Sequence, residues 1–93
     1  MSILTFRHKG LAECFRTGSK RKIDAAHAKR LRILLATLDS ASQPRDLEAP
    51  GWGLHELKGD KRGTWALTVS GNWRLTFRWQ GKDVEDVDYC DYH

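Results

Sequence analysis

The C-terminal third of the chain alternates between apolar and polar residues with the two-residue period of a β-strand. Residues 64–69 and 72–79 both follow this pattern, and Ser70-Gly71-Asn72 between them has the residues that tight hairpin turns favour. A third strand is predicted after residues 80–82. The segment therefore predicts an antiparallel sheet with one tryptophan-rich face and one polar face. The second strand shows both faces, with Trp73, Leu75, Phe77 and Trp79 on one and Arg74, Thr76 and Arg78 on the other.

The first part of the chain is predicted to cover the apolar face of this sheet. Residues 3–6 indicate a short first strand, and Leu11, Cys14 and Phe15 are spaced as on one side of a short helix. Gly18 is suited to end that helix, since glycine readily adopts the left-handed conformation found there. Asp24 is the predicted N-cap of a long helix over residues 25–38. Its apolar stripe consists of Ala28, Leu31, Leu34, Leu35 and Leu38.

The remaining segment is predicted to be a loop followed by a short strand. Residues 40–53 contain both prolines, with a helical turn expected near residues 45–47, and residues 54–57 form the strand. The element order is β-α-α-β-β-β-β. We therefore expect one α+β domain over residues 1–93, an antiparallel sheet with two helices packed on one face.

Composition is that of a soluble protein, with 40% hydrophobic and 30% charged residues among 93. No apolar run is long enough to span a membrane and no signal peptide is recognisable, so a cytoplasmic protein without a membrane partner is expected. Cys14 and Cys90 are predicted to be thiols. The net charge is +4, but residues 1–63 carry +6 and residues 64–93 carry −2. This asymmetry favours a polyanionic partner such as a nucleic acid.

Five residues could carry out metal-independent cleavage of RNA: His55, Lys58, Arg74, Tyr92 and His93. Such cleavage needs a base for the 2′-hydroxyl proton, an acid for the leaving 5′-oxygen and cations for the phosphorane. Histidine titrates near neutral pH, whereas lysine and arginine supply charge. Each also has an ordinary structural explanation, because exposed arginines and lysines are usually only solvated.

Metal and nucleotide chemistry have less support. Cys90 and His93 are spaced as a pair of zinc ligands, but a closed zinc site needs two more. The acidic residues 83–91 fall on both faces of a strand, and no phosphate-binding glycine motif occurs. No metal and no cofactor are therefore predicted.

Several segments resemble the HigB-type toxins of bacterial toxin–antitoxin modules, within the RelE-like superfamily. The resemblance covers nearly the whole chain. It rests on FRHKGL at 6–11, LHELKG at 54–59, GTW at 63–65, SGNWRLTF at 70–77 and DVDYCDYH at 86–93.

The resemblance implies a microbial-ribonuclease-like fold and a toxin that cleaves mRNA on the 70S ribosome without a metal. It also implies a helix-turn-helix antitoxin partner, HigA-like, through which the toxin reaches operator DNA only indirectly. By motif match, Lys58, Arg74, Tyr92 and His93 are the catalytic residues. His55 and Asp91 are supporting candidates, and Arg78, Lys61 and Arg62 are predicted RNA-binding residues.

The sequence departs from the family's residue pattern at two positions, and two other functions remain possible for this fold and surface. Cys90 stands where relatives often have an acidic residue, and Gly53 where a polar side chain is common, so substrate contacts are less secure than the reaction. The same fold also occurs in gyrase-directed toxins of the ParE branch. A non-catalytic RNA- or ribosome-binding module would use the same basic surface without cleavage.

Overall fold

The alternating C-terminal pattern forms a four-stranded antiparallel meander in the computed structural model, which describes residues 3–91 apart from the Lys61 side chain. The strands lie across the sheet in chain order. Short 3-10 turns cover Ala25–His27, Pro44–Leu47 and Gly59–Lys61. The main elements are α1 (Lys9–Thr17), α2 (Ala28–Ser40), β1 (His55–Glu56), β2 (Thr64–Ser70), β3 (Trp73–Gln80) and β4 (Asp83–Asp91).

The core lies between the helices and one face of the sheet. Leu75 and Phe77 of β3 are fully buried, in one cluster with Leu11 of α1 and the predicted stripe of α2. All five stripe residues, Ala28 to Leu38, are buried, so the α+β class with two helices on one face is confirmed. The opposite side, which carries Arg74, Thr76 and Arg78, is called the polar face below. Within residues 3–91, no helix combines the length and the apolar character needed to cross a lipid bilayer.

The predicted first strand is replaced by two isolated bridges. Ile3 pairs with Val84 and Phe6 with Val87, and both bridges are parallel to β4 rather than antiparallel. A bulge in β4 explains the interruption, because Asp86 has φ +53° and its amide bonds to the Thr5 hydroxyl at 2.8 Å. The observed order is therefore α-α-β-β-β-β with an N-terminal segment along the edge of β4.

Helix α2 begins at Ala28, three residues after its predicted start, and the predicted cap belongs to the 3-10 turn before it. Asp24 accepts a hydrogen bond from the Ala26 amide at 2.9 Å and caps a 3-10 turn that leads into α2. Arg30, which lies off the apolar stripe, donates to the carbonyls of Thr68 at 3.0 Å and Gly51 at 2.8 Å. The helix is thereby tied to β2 and to the loop that precedes β1.

A buried polar cluster joins α2 to the paired ends of β3 and β4. His27 is 7% exposed, and its Nδ1 lies 2.6 Å from the Tyr89 hydroxyl. The Tyr89 ring stacks on Trp73 with centroids 4.6 Å apart. The cluster therefore holds the turn that leads into α2 against the ends of β3 and β4, next to Arg74.

We predict that Tyr89→Phe lowers the free energy of unfolding by about 1–3 kcal/mol, since it leaves the buried His27 nitrogen without its partner. Urea unfolding at neutral pH measures this loss. In a His27→Leu background the same change should cost much less, because the hydrogen bond is already absent. An equal loss of unfolding free energy in both backgrounds would contradict the coupling between Tyr89 and His27.

Tyr89 should also titrate abnormally. Burial raises the pKa of its phenol above the ordinary 10.0, and the carboxylates of Asp24 and Asp91 add to the shift, which the Asp24 amide opposes. Tyr89 thus stabilises the fold below pH 10, and this contribution is lost as pH rises through the folded pKa. In a Tyr92→Phe variant Tyr89 is the sole tyrosine. Its phenolate absorbance should have a midpoint above 10 when folded and near 10 in urea.

Candidate active site

Strand register arranges the polar face in three rows that run across the sheet. Neighbouring strands are about 4.8 Å apart, so members of one row are direct neighbours. The rows are Thr68–Arg74–Cys90, His55–Ala66–Thr76–Asp88 and Thr64–Arg78–Glu85. Trp73 pairs with Asp91, the residue after Cys90. The end of β4 therefore lies beside Arg74.

Arg74 is held by the hairpin that it follows. Its Nη1 donates to the carbonyl of Gly71 at 2.6 Å and to that of Trp73 at 3.0 Å. Within residues 3–91, its other guanidinium nitrogens make no hydrogen bond. One edge of the planar group is thus anchored, and the remaining donors are available for a phosphate.

His55 is oriented by the residue two positions before it. Its Nδ1 lies 2.8 Å from the Gly53 carbonyl oxygen. A carbonyl only accepts, so Nδ1 carries the proton in this contact and Nε2 bears the lone pair of the neutral ring. His55 lies two strands from Thr76 in its row, about 10 Å across the sheet. The geometry suits a proton acceptor at the β1 edge.

Gly53 must remain a glycine for this arrangement. Its φ is +60°, and a Cβ built there would lie 2.6 Å from the Thr68 hydroxyl oxygen. Thr68 is in turn fixed by the Trp52 carbonyl, which accepts from its amide at 2.7 Å, and by Arg30. The absence of a polar side chain at position 53 thus has a steric cause.

Lys58 and Arg62 line a depression of about 470 Å³ at the β1 edge, together with Glu56. Glu56 accepts a hydrogen bond from the Gly63 amide at 3.1 Å and closes the loop between β1 and β2. Both cations are exposed. The Lys58 side chain makes no hydrogen bond within the described residues, so its ammonium is available for a phosphate.

The predicted site residues thus divide into two groups. Arg74 lies on the polar face at the β3–β4 end, and Asp91, which pairs with Trp73, lies at the same end on the opposite face. His55, Lys58 and Arg62 lie at the β1 edge. Arg78 is on the polar face in the third row. Tyr92 and His93 lie outside the described residues, as does the side chain of Lys61. Their roles stay predictions.

A second depression, of about 410 Å³, lies on the polar face itself and was not predicted. We call it the sheet depression. Its lining includes Arg7, Asp60, Thr76, Arg78, Asp86 and Asp88. Arg7 comes from the segment beside β4 and Asp60 from the loop after β1, so only the tertiary fold assembles the set. The one sequence signal was the placement of Thr76 between two arginines on the polar face.

Comparison with known proteins assigns the chain to a family. A family model for RelE-like toxins of the type II toxin–antitoxin system HigB matches residues 4–93. The chain belongs to the HigB-like toxins. A relative, the endoribonuclease HigB of Proteus vulgaris, is 37% identical over 91 residues, which cover 98% of this chain and 99% of that protein. The predicted family is confirmed, and as a type II toxin this protein has an antitoxin as its partner.

Solved structures of related toxins have the same fold. A YoeB/ParE toxin from Agrobacterium tumefaciens superposes with a TM-score of 0.62 at 21% identity, covering 100% of this chain and 99% of that one. A YoeB dimer from Staphylococcus aureus gives the same score and identity, with coverage of 100% and 97%. At such identities the likeness shows the RelE-type fold alone, and it confirms the predicted architecture.

We predict that Gly53→Ala destabilises the toxin by about 2 kcal/mol or more, from left-handed strain and from the contact with Thr68. In a Thr68→Ala background the cost should fall to about 1–2 kcal/mol, the strain alone, because the clashing hydroxyl is gone. Urea unfolding of the parent, the two single variants and the double variant measures both values. A matched control is Gly51→Ala, which has φ +81° but no atom within 4 Å of the added carbon. Equal effects at 51 and 53 would refute the steric explanation.

Proposed function

We propose that this toxin is a ribosome-dependent endoribonuclease that cleaves mRNA without a metal. The observation that carries the proposal is full-length similarity to the endoribonuclease HigB of Proteus vulgaris, at 37% identity. The exposed cations and oriented histidine of the polar face support it. The endoribonuclease activity expected from the sequence agrees with the name of that relative.

The proposed reaction is transfer of the phosphate within one nucleotide. A base removes the proton of the 2′-hydroxyl, O2′ attacks phosphorus, and the bond from phosphorus to O5′ breaks as an acid protonates O5′. The products are a 2′,3′-cyclic phosphate, which can open to a 3′-phosphate, and a 5′-hydroxyl. Atoms and charge balance without a cofactor.

Each candidate has one part in this proposal. Lys58 and Arg74 hold the phosphate and neutralise the phosphorane, because both have donors that the described residues leave unused. His93 carries a proton and Tyr92 stacks on a base or orients the phosphate. His55 supports as a second proton acceptor and Asp91 as an orienting group. Arg78, Lys61 and Arg62 contribute charge along the RNA.

The proposed partners follow from the same assignment. The antitoxin is proposed to be a HigA-like helix-turn-helix protein, and operator DNA is reached only through it. The substrate is proposed to be mRNA on the 70S ribosome, which would place the toxin's action in the cytoplasm.

We predict that Arg74→Ala and Lys58→Ala each reduce cleavage by roughly 10²-fold or more, because each removes a charge from the phosphorane. Induction of each chain in cells, followed by mapping of new RNA 5′ ends in translated frames, measures the effect. His93→Ala is expected to lose a similar or larger factor, of about 10²–10⁴, as a proton carrier.

Matched controls separate catalysis from general charge. Arg32→Ala removes an exposed arginine from α2, and Lys82→Ala removes an exposed lysine from the β3–β4 turn. Both should cut like the parent. If Arg74→Ala, Lys58→Ala and His93→Ala also cut like the parent, the site assignment is wrong. Growth arrest by the parent without new 5′ ends would instead favour a non-catalytic ribosome-binding or gyrase-directed toxin.

A further inference from the structure

The sheet depression combines opposite charges that do not neutralise one another. Arg7 and Arg78 share its wall with Asp60, Asp86 and Asp88. Within residues 3–91, none of these five groups forms an ion pair with another. Its volume of about 410 Å³ is in the range of sites for small ligands. Donors and acceptors are therefore both presented to whatever enters.

Thr76 opens a polar atom onto the depression. It is only 5% exposed, lies at the centre of the polar face and lines the depression. Its hydroxyl makes no hydrogen bond within the described part of the chain and is not fully enclosed, so it is available to a ligand atom that enters.

Two side chains of the depression are held in place by the fold. The Asp88 Oδ1 accepts a hydrogen bond from the Tyr89 amide at 2.9 Å, which orients the carboxylate and leaves Oδ2 to accept another donor. The Arg78 guanidinium lies over Gly63, where an added Cβ would be 3.2 Å from Nη2. The guanidinium is directed toward β2 and the carboxylate belongs to β4, so the two groups lie on opposite sides of β3 within one depression. This arrangement suits a flat ligand that lies between them and has N–H donors at its edge.

The depression adjoins the proposed phosphate site. Thr76 and Asp88 form the row next to Arg74 and Cys90. Residues two apart on one strand are about 7 Å apart, so Thr76 of the depression lies about 7 Å along β3 from Arg74. A nucleotide that neighbours the cleaved phosphate would thus meet it.

We propose that the sheet depression is a nucleobase subsite that selects bases with an exocyclic amino group over uracil. This inference rests on the proposed function. Cytosine presents an amino group where uracil has a carbonyl, and at that position only the amino group can donate to the Asp88 carboxylate, whereas the Thr76 hydroxyl can bond to either. Uracil would place its carbonyl oxygen against the carboxylate, so the subsite both attracts one base and repels the other.

Binding of short RNA to the purified toxin tests this without any cleavage. Oligocytidylate and oligouridylate of equal length differ at two edge positions of the base, the 4-amino group against a carbonyl and N3 against N3–H. The readout is the ratio of their dissociation constants, and its change between parent and variant separates the depression from the different stacking of the two RNAs. The parent should bind oligocytidylate about tenfold tighter or more. Asp88→Asn, which can keep the bond from the Tyr89 amide, should bring the ratio to within about threefold, because its amide can also donate to the uracil carbonyl. Thr76→Val, which keeps the β-branched shape, should weaken binding of both RNAs.

The control is Asp83→Asn, the same charge change on β4 outside the depression. It should strengthen binding of both RNAs alike and preserve their ratio. Equal binding of the two RNAs by the parent, no measurable binding of either, or an unchanged ratio in Asp88→Asn would overturn the proposal. Selective binding without cleavage in cells would refute only the proposed function, and cleavage without selective binding would refute only the subsite.

Discussion

Everything on the polar face depends on burial of the opposite face of β3. Leu75 and Phe77 are fully enclosed by the helical layer, and the strand alternation then forces Arg74, Thr76 and Arg78 outward at fixed spacing. A slip of one residue would exchange the two sets and place arginines in the core. Hydrophobic packing thus sets the position of the charged groups, which themselves contribute little to the fold.

The sequence predicted this part well because it depends on local periodicity. Alternation gave the strands, the Ser70-Gly71-Asn72 turn gave the first hairpin, and the leucine stripe gave α2. Lys58 and Arg74 were candidates from residue chemistry alone, and the family resemblance then assigned them catalytic roles. The structure supplied the reason they are available, since within residues 3–91 the fold uses only part of Arg74 and makes no bond to the Lys58 side chain.

What could not be predicted depends on contacts between distant segments. Arg30 lies off the apolar stripe, and only the folded chain shows that it binds carbonyls 21 and 38 residues away. The N-terminal segment has a strand-like composition, but its pairing is limited by a bulge at Asp86, a residue that no turn motif marks. The requirement for Gly53 likewise depends on Thr68, which a sequence pattern does not connect to it.

The parallel bridges along β4 have a consequence for the order of folding. Thr5 and Asp86 bond across 81 residues, so this edge closes the longest loop in the described chain and at the greatest entropic cost. The β2–β3 and β3–β4 hairpins need only local closure and can form earlier. The N-terminal segment therefore waits for β4 before it can dock, and the sheet edge is completed last although its residues come first in the chain.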